Sequence, residues 1–354
     1  MSANDLKQLG RYEIKGVLGK GAMGLVYDGL DPTLNRRVAI KTILTRNLDA
    51  ATAKQYAMRF QREVRAVARI NHPNIVQVYD FGQDGDLAFI VMEYIEGKEL
   101  KDSFDKKEGF DLGTTFRLMQ ELLGALDYAH EAGVIHRDIK PANVMVDAKG
   151  HAKLTDFGVA RIEDPDAATG EATRAGAVIG TPSYMSPEQI QGQSIDRRTD
   201  IFSAGIILYQ FLTWQKPFEG TQWVLASKII QEDPVWPSQL VQVSPELDRV
   251  VARALAKQAD QRYQTARQFA NALKRVFSGK PAEDATDGLP PLAAAASSAA
   301  AAAEPDVQGT EAEKEFWNEV KDSDEPEDIE LYLEQFPRGM FAQQAKDKLA
   351  ALKK

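Results

Sequence analysis

Short runs in which apolar and polar residues alternate dominate the first 95 residues, and such runs between turn residues predict β-strands. The predicted strands cover residues 11–18, 25–29, 37–43, 75–79 and 87–92. Between the third and the fourth strand, Met58, Val64 and Ile70 recur at helical intervals. This spacing predicts a helix over 52–70 that ends at the turn of residues 71–74.

Helical periodicity replaces this alternation from residue 114 onward. The predicted helices of this part cover residues 114–132, 203–213, 225–231, 245–255 and 265–277. A strand-rich part followed by a helix-rich part is the arrangement of an α+β protein. We therefore expect an α+β fold over roughly the first 280 residues.

The last quarter of the chain changes composition twice. Around residues 280–310, Pro290 and Pro291 precede an Ala/Ser tract, which is typical of a linker rather than a packed core. Residues 311–353 regain helical periodicity and predict three helices. Their apolar positions are Phe316, Trp317 and Val320, then Ile329, Tyr332, Leu333 and Phe336, then Met340, Phe341, Ala345 and Leu349. The sequence shows no clear second copy of this unit, so a repeat array is not supported.

The composition is that of a soluble globular protein, with 44% hydrophobic and 27% charged residues. The absence of cysteine excludes disulfides, thiolate nucleophiles and Cys-based metal sites, and it fits a reducing cytosol. The polar, acidic first residues are unlike a signal peptide. No apolar run approaches the roughly 18–20 residues that span a bilayer. We expect a soluble, cytoplasmic protein without a membrane span.

The net charge of −9 is concentrated at the C-terminal end. Residues 280–354 contain 17 acidic and 8 basic residues, whereas the 35 acidic and 35 basic residues of 1–279 cancel. Neither part has the basic excess of a nucleic-acid-binding protein, so we expect no nucleic-acid partner. The acidic segment either attracts a basic protein partner or is a solvated face.

A glycine-rich run, Gly-Lys-Gly-Ala-Met-Gly-Leu-Val, extends from Gly19 to Val26. Glycines let backbone N–H groups approach phosphate oxygens closely. The same pattern occurs in dinucleotide-binding folds, where a helix begins inside the motif. Here a strand follows the motif, and this favours a phosphate-binding β-hairpin, although a plain glycine-rich turn gives the same pattern.

Lys41 ends the apolar strand Val-Ala-Ile-Lys and is a candidate phosphate ligand, because its ammonium group acts as a point charge. Glu63 follows 22 residues later in the predicted helix and is a candidate to pair with Lys41. Taken singly, each residue also fits a plainer role, as a snorkelling strand lysine and a solvated helix carboxylate.

The most informative segment is His136-Arg137-Asp138-Ile139-Lys140-Pro141-Ala142-Asn143, followed by Asp156-Phe157-Gly158. With the glycine-rich run and Lys41 in the same order, the chain resembles the eukaryotic-type serine/threonine protein kinase family, in its bacterial branch. The resemblance implies a bilobal fold, with a small antiparallel sheet and one key helix in the first lobe and a mostly helical second lobe. It implies an N-terminal extension (1–11), a kinase domain (12–277), a linker (278–310) and an acidic C-terminal helical segment (311–354).

The implied activity is that of a non-specific serine/threonine protein kinase, which transfers the γ-phosphate of Mg-ATP to Ser or Thr hydroxyls of proteins. Such transfer depends on positioning and charge neutralisation. Asp138 corresponds to the base that accepts the hydroxyl proton, and Lys140 to the residue that stabilises charge at the γ-phosphate. Asn143 and Asp156 correspond to oxygen ligands of Mg²⁺, with Mn²⁺ as an alternative.

The resemblance also implies how ATP is held. Lys41, fixed by Glu63, contacts the α- and β-phosphates. Met92 lies at the back of the adenine pocket. The backbone of the segment Glu93-Tyr94-Ile95, which the family uses as a hinge between the lobes, meets the base. The full set is Leu18, Gly19, Lys20, Gly21, Ala22, Met23, Gly24, Val26, Ala39, Lys41, Met92, Glu93, Ile95 and Met145. His136 is expected to pack beneath Phe157 rather than to act as a base or a metal ligand.

Two segments indicate serine or threonine rather than tyrosine as the acceptor: Lys-Pro-Ala-Asn at 140–143 and Gly-Thr-Pro-Ser-Tyr-Met-Ser-Pro-Glu at 180–188. Thr181 is expected to position the substrate by hydrogen-bonding to Asp138 and Lys140.

This chain departs mildly from the family pattern at two positions. Ser186 stands where alanine is commoner, and Phe202 where tryptophan is commoner. Glu188, expected to pair with Arg262, and Asp200, expected to hold the catalytic-loop backbone, are both present.

Regulation by phosphorylation is a further expectation. Thr169 and Thr173 lie between Asp156 and Glu188, and the resemblance places Arg137 and Arg161 in a cationic pocket. A phosphate adds about −1.5 to −2 charge and would dock in that pocket. We expect autophosphorylation of Thr173 or Thr169, in trans within a homodimer. An unmodified, exposed threonine is the alternative.

Two alternatives stay open from sequence alone. A nucleotide-binding scaffold without catalysis is disfavoured, because every expected catalytic and metal-binding residue is present. The C-terminal segment either binds a protein partner and regulates the enzyme, or is a simple accessory helical cap.

Overall fold

The structure is a computed structural model that describes residues 6–20, 24–44, 61–85, 87–157, 182–282, 311–323, 326–336 and 339–352. Its first part is a six-stranded antiparallel sheet with the order β1-β2-β3-β4-β6-β5. The strands are β1 (Gln8–Leu9), β2 (Tyr12–Lys20), β3 (Leu25–Asp31), β4 (Arg36–Leu44), β5 (Val78–Asp84) and β6 (Leu87–Glu93). Helix α1 (61–68) precedes β5.

Alternation along the central strand β4 divides the sheet into two apolar faces. Val38 and Ile40 pack with Tyr12 and Phe89 on one face. Ala39 lies on the other face, in a cluster that also includes Ile43, Val64, Ile90 and Met92. Because side chains two residues apart share a face, Lys41 lies on the same face as Ala39. The strand pattern therefore determines which side of the sheet carries the lysine.

The second part is mostly helical and contains the largest core cluster. Its helices are α2 (Leu100–Asp105), α3 (Leu112–Glu131), α4 (Pro187–Ile190), α5 (Arg198–Thr213), α6 (Gln222–Gln231), α7 (Pro237–Leu240), α8 (Pro245–Ala254) and α9 (Ala266–Phe277). Helix α5 is buried on all sides, as expected for a helix at the centre of a lobe. A small sheet of β7 (Gly97–Glu99), β8 (Val144–Asp147) and β9 (Ala152–Leu154) lies in this part. The α+β expectation is confirmed.

A capping side chain accounts for one difference from the predicted helix bounds. Asp111 accepts a hydrogen bond from the Thr114 N–H at 2.8 Å, so α3 begins two residues before the predicted start. Helix α5 begins at Arg198, five residues before the predicted start and without a side-chain cap, although Asp196 accepts from the Arg198 N–H at 2.8 Å just before it.

The predicted strand over 75–79 is wrong in position, since β5 covers Val78–Asp84. The residues before it hydrogen-bond to the helical part instead. The Val76 N–H donates to the Leu154 carbonyl at 2.9 Å, and the Leu154 N–H donates to the Asn74 carbonyl at 2.8 Å. The Asn74 side-chain amide donates to the Ala152 carbonyl at 2.8 Å. These bonds join the two parts beside β9.

Residues just outside the predicted kinase-domain bounds of 12–277 pack against the domain. Leu9 is buried in the first sheet, and Ala282 belongs to the helical core. The Ala282 N–H donates to the Glu246 carboxylate at 2.9 Å.

The three predicted C-terminal helices are present as α10 (Glu311–Val320), α11 (Pro326–Gln335) and α12 (Ala342–Leu352). Phe316, Trp317, Val320, Ile329, Tyr332 and Ala345 form their buried core. We call these helices the C-terminal unit. Across the described ranges, no helix combines the length and apolar character needed to cross a bilayer.

Candidate active site

The two charged groups predicted to hold the nucleotide and its metal meet at the junction of the sheet and the helical part. The Lys41 ammonium lies 3.0 Å from the Asp156 carboxylate. Asp156 has a φ of 63°, in the left-handed region that non-glycine residues rarely occupy. Such strain persists only where surrounding structure enforces it, and it is frequent at functional sites. The fold therefore brings these two residues together at a cost in backbone energy.

The predicted catalytic residues form a connected set in one loop. The Lys140 ammonium lies 2.8 Å from the Asp138 carboxylate. The Asn143 side-chain amide donates to the Asp138 carboxylate at 2.9 Å and to its backbone carbonyl at 2.7 Å. Asn143 closes the 3₁₀ turn Pro141–Asn143, in which Pro141 occupies the first position that proline favours. The loop thus fixes Asp138 between a cation and an amide donor.

A buried carboxylate from α5 holds the start of this loop. Asp200 is fully buried and accepts hydrogen bonds from the backbone N–H groups of His136 at 2.9 Å and Arg137 at 2.7 Å. It also lies 2.7 Å from the His130 ring. Arg137 has a φ of 70°, which these bonds help to maintain. The expectation that Asp200 holds the catalytic-loop backbone is confirmed.

His136 has the packing role expected from the sequence. Its ring lies 4.6 Å from that of Phe157, and its Nε2 is 2.7 Å from the Thr155 carbonyl. Both aromatic residues are buried. Next to them is a small cavity of about 20 Å³, lined by Val64, Val67, Val76, Val78, Ile90, Met92, Thr155, Asp156 and Phe157. Its size is close to that of one water molecule, so the rear of the cleft is nearly filled.

The predicted glycine-rich strand pair is a β-hairpin, since β2 pairs with β3 and Gly19 lies opposite Val26. The dinucleotide-fold alternative is therefore excluded. A Cβ on Gly24 would lie 1.8 Å from the Thr42 carbonyl oxygen, so no larger residue fits this close approach of two strands. Leu18 and Lys20 are exposed. Gly21, Ala22 and Met23 lie outside the described residues.

The predicted adenine-pocket residues converge. Ala39 and Met92 belong to one apolar cluster, and Val26 and Ile95 pack against it. Met145 is half-buried on β8. These side chains can supply the apolar faces that a planar base requires.

Two acidic residues near this pocket have surroundings that the sequence analysis did not predict. Glu93, at the end of β6, forms a 2.6 Å ion pair with Lys153 of β9. Glu99 was not predicted as a site residue; it lies opposite Met145 in the small sheet. Burial and the neighbouring Asp102 raise the pKa of Glu99. The motif spacing contains no signal for the Glu93–Lys153 pair, because its two residues lie in separate elements.

A buried ion pair anchors the end of the segment 180–188, which the sequence connects with the choice of acceptor. Glu188 of α4 forms two 2.8 Å hydrogen bonds with the fully buried Arg262 guanidinium. Burial raises the pKa of Glu188, but the hydrogen bonds and charge of Arg262 outweigh this effect and hold the pKa below its ordinary value. The predicted Glu188–Arg262 pair is confirmed. The Gln189 amide of the same helix donates to the Arg137 carbonyl at 2.7 Å.

Several predicted residues cannot be placed. Thr169, Thr173, Thr181 and Arg161 lie outside the described residues. Glu63 is described, half-buried on α1, and its pairing with Lys41 stays a prediction.

The donor set fits a divalent ion that keeps phosphate or water ligands. Over the described part of the chain, no three His, Cys, Asp or Glu side chains come together as a metal site. Mg²⁺ typically binds one or two carboxylates together with substrate phosphates, rather than an all-protein cage. Asp156 offers a carboxylate. Asn143 uses its amide nitrogen for Asp138 and keeps its carbonyl oxygen for a ligand.

Comparison with known proteins gives a consistent result. The family model described as "Protein kinase domain" matches residues 12–275. A probable serine/threonine-protein kinase of Streptomyces coelicolor is 40% identical over 309 residues, which are 86% of this chain and 44% of that protein. The serine/threonine-protein kinases PknB of Mycobacterium leprae and Mycobacterium tuberculosis are each 41% identical over 280 residues, which are 77% of this chain and 44% of each relative. The chain therefore spans less than half the length of these relatives.

Proposed function

This chain belongs to the protein kinase family, and on that premise we propose that it is an active serine/threonine protein kinase that uses Mg-ATP. The observation that supports this most directly is the convergence of Asp138, Lys140 and Asn143 in one hydrogen-bonded loop, beside the Lys41–Asp156 pair. Serine or threonine is the proposed acceptor because relatives covering most of this chain are serine/threonine-protein kinases.

In the proposed reaction, Asp138 accepts a hydrogen bond from the substrate hydroxyl, orients it and receives its proton. Lys140, which already lies 2.8 Å from Asp138, would stabilise negative charge on the transferred phosphoryl group. Lys41 would bind the α- and β-phosphates, and Glu63 would orient it. The Asn143 donation to Asp138 keeps the carboxylate oriented before substrate arrives.

Asp156 and Asn143 are the proposed ligands of Mg²⁺, with Mn²⁺ as an alternative. The ion would supply charge neutralisation at the phosphates. The apolar cluster around Ala39 and Met92 is proposed to contact the adenine, and the backbone of Glu93 and Ile95 to bind its edge.

Four further proposals concern the protein in the cell. Protein substrates with Ser or Thr acceptors are its targets, and Thr173 or Thr169 is phosphorylated in trans within a homodimer, where Arg137 and Arg161 would receive the phosphate. The acidic C-terminal unit regulates this activity or binds a protein partner. We place the activity in the cytoplasm, a reducing compartment for which a chain without cysteine is suited.

The decisive experiment compares the full-length wild type with Asp138→Asn in radiolabelled phosphate transfer from Mg-ATP to a Ser/Thr peptide. We expect kcat to fall by about 10²–10⁴-fold, the usual contribution of a positioned base, with little change in ATP affinity. Asp105→Asn is the matched control, since Asp105 is exposed and pairs with Lys101 on the surface. Equal activity of the wild type and Asp138→Asn would show that transfer does not use this site. ATP binding without transfer by the wild type would indicate a scaffold instead.

A further inference from the structure

The C-terminal unit is self-contained, because a buried polar network closes its three helices. The Tyr332 hydroxyl donates to the Glu313 carboxylate at 2.8 Å and accepts from the Phe341 N–H at 3.1 Å. Both Tyr332 and Glu313 are fully buried. A Cβ at Gly339 would lie 2.2 Å from the Glu313 carboxylate, so the turn before α12 admits only glycine without rearrangement. The unit thus has its own apolar core and its own buried hydrogen-bond network.

Among the described residues, one aromatic pair forms the apolar contact between this unit and the kinase domain. Trp223, in the first turn of α6, packs against the core of the unit, and its ring centroid lies 6.3 Å from that of Phe316. In the parts of the chain that the structure describes, Trp223 is the one kinase-domain side chain in this cluster. An apolar contact this small favours reversible docking, because interfaces between units of one chain permit relative motion unless they are large and apolar.

Two successive contacts connect helix α6 to the active site. Helix α6 packs against α4, the helix that carries Glu188 and Gln189. The Gln189 amide in turn donates to the Arg137 carbonyl of the catalytic loop at 2.7 Å. A folded protein that presents a hydroxyl to Asp138 would meet the surface near α4 and α6 on this arrangement, whereas a short peptide would need less of it.

The size of the unit is sufficient to screen this surface. Forty residues pack into a body with a radius of gyration of about 9 Å, or roughly 20 Å across. Helix α6 has ten residues and is about 15 Å long. A unit docked at Trp223 is therefore larger than the helix it contacts.

The connection keeps the unit near α6. Residues 283–310 join Ala282 to Glu311, and a chain of about 30 residues reaches roughly 100 Å at most. Tethering over such distances gives effective concentrations on the order of 1 mM. An interface with a Kd on the order of 0.1 mM would then be occupied about nine-tenths of the time, yet a competing protein could displace it.

We propose that the C-terminal unit is a reversible cover of helix α6, docked through Phe316 on Trp223, that restricts access of folded protein substrates while ATP and short peptides enter freely. The role of the cover rests on the proposed kinase activity. The docking itself does not, and it is tested separately.

Docking is tested by hydrogen exchange on the full chain, comparing the wild type with Trp223→Ala. Loss of an aromatic anchor should speed exchange in 222–225 and in 311–320 by about tenfold. Trp236→Ala, which removes a half-buried indole at the start of α7, is the matched control and should leave both segments unchanged. Equal exchange in the wild type and Trp223→Ala would refute docking, whatever the catalytic activity.

The cover is tested by locking it. Because the chain has no cysteine, the pair Trp223→Cys and Phe316→Cys can be joined selectively by a short bismaleimide that contains a reducible disulfide. The folded substrate is the full-length Asp138→Asn chain, and the small substrate is a Ser/Thr peptide. The lock should lower kcat/KM for the folded substrate at least about tenfold. Peptide phosphorylation should be unaffected, and reductant should restore the folded substrate.

The outcomes separate the two proposals. If the lock changes both substrates equally, or neither, the cover is refuted. If the unlocked enzyme phosphorylates no peptide, the proposed function fails, and the hydrogen-exchange comparison still decides whether the unit docks.

Discussion

Replacement of Arg262 by alanine should destabilise the kinase domain severely. The guanidinium is fully buried, binds both oxygens of Glu188 at 2.8 Å, and also donates to the Ala256, Lys257 and Arg198 carbonyls at 2.7, 3.0 and 3.1 Å. Removing one partner of a buried ion pair costs about 3–5 kcal/mol, because the other charge is left uncompensated. The three carbonyls that lose a donor add to this at about 1 kcal/mol each unless water replaces it. We expect a loss of at least about 4 kcal/mol, against a total stability of roughly 5–15 kcal/mol.

Urea unfolding followed by circular dichroism, with free energies from linear extrapolation, measures this loss. The matched control is Arg249→Ala. Arg249 is exposed and lies 3.2 Å from the half-buried Glu246, and its loss should cost less than about 1 kcal/mol. The double variant Glu188→Leu with Arg262→Met should recover part of the stability, because it leaves no buried charge unpaired.

The pH dependence provides the sharper test. The folded-state pKa of Glu188 lies below its ordinary value of 4.5, so its stabilising contribution is present above that value and is lost as the pH falls through the folded pKa. The stability difference between the wild type and Arg262→Ala should therefore shrink in acid. A difference below about 1 kcal/mol at neutral pH, or one that does not change in acid, would refute this reasoning.

Three other predictions follow from the site. Asp200→Asn weakens the anchor of the catalytic loop and should lower kcat about tenfold to a hundredfold with little change in the KM for ATP, as steady-state kinetics would reveal. Lys153→Met releases Glu93 and should raise the KM for ATP by about two- to fivefold at constant kcat, the effect of roughly 1 kcal/mol. Burial lowers the pKa of Lys257 to about 8, below its ordinary 10.5. Between these pH values the folded state has already released this proton and the unfolded state has not, so the stability of the wild type should rise with pH. Lys257→Met should lack this rise when stability is measured by urea titration.

The sequence predicted the fold class from local periodicity, whereas it predicted the convergence of the site through family resemblance, because Lys41 and Asp156 lie far apart in the chain. Alternation in β4 places Lys41 on the face of Ala39, and the 3₁₀ turn after Asp138 follows from Pro141. These features are recognisable within a few residues of chain. The Glu188–Arg262 pair was predicted through family resemblance rather than through local pattern.

Features that depend on two distant segments were missed or misplaced. Residues 75–79 have strand-like alternation, but the Val76 N–H binds the Leu154 carbonyl, so the strand begins later. The ion pair between Glu93 and Lys153 joins elements 60 residues apart and leaves no pattern in either. The packing of Trp223 on Phe316 is of the same kind. Tertiary partners decide such details, and local propensity does not.

The Lys41–Asp156 ion pair has a consequence for how the nucleotide enters. Each side chain is largely shielded, with exposures of 15% and 24%, so the two opposite charges compensate each other within the cleft. Under the proposed function, nucleotide binding is an exchange of ionic partners, in which the ammonium turns to phosphate and the carboxylate to the cation. Because the two side chains are partly buried and the magnesium ion offsets part of the triphosphate charge, the affinity should depend only weakly on ionic strength.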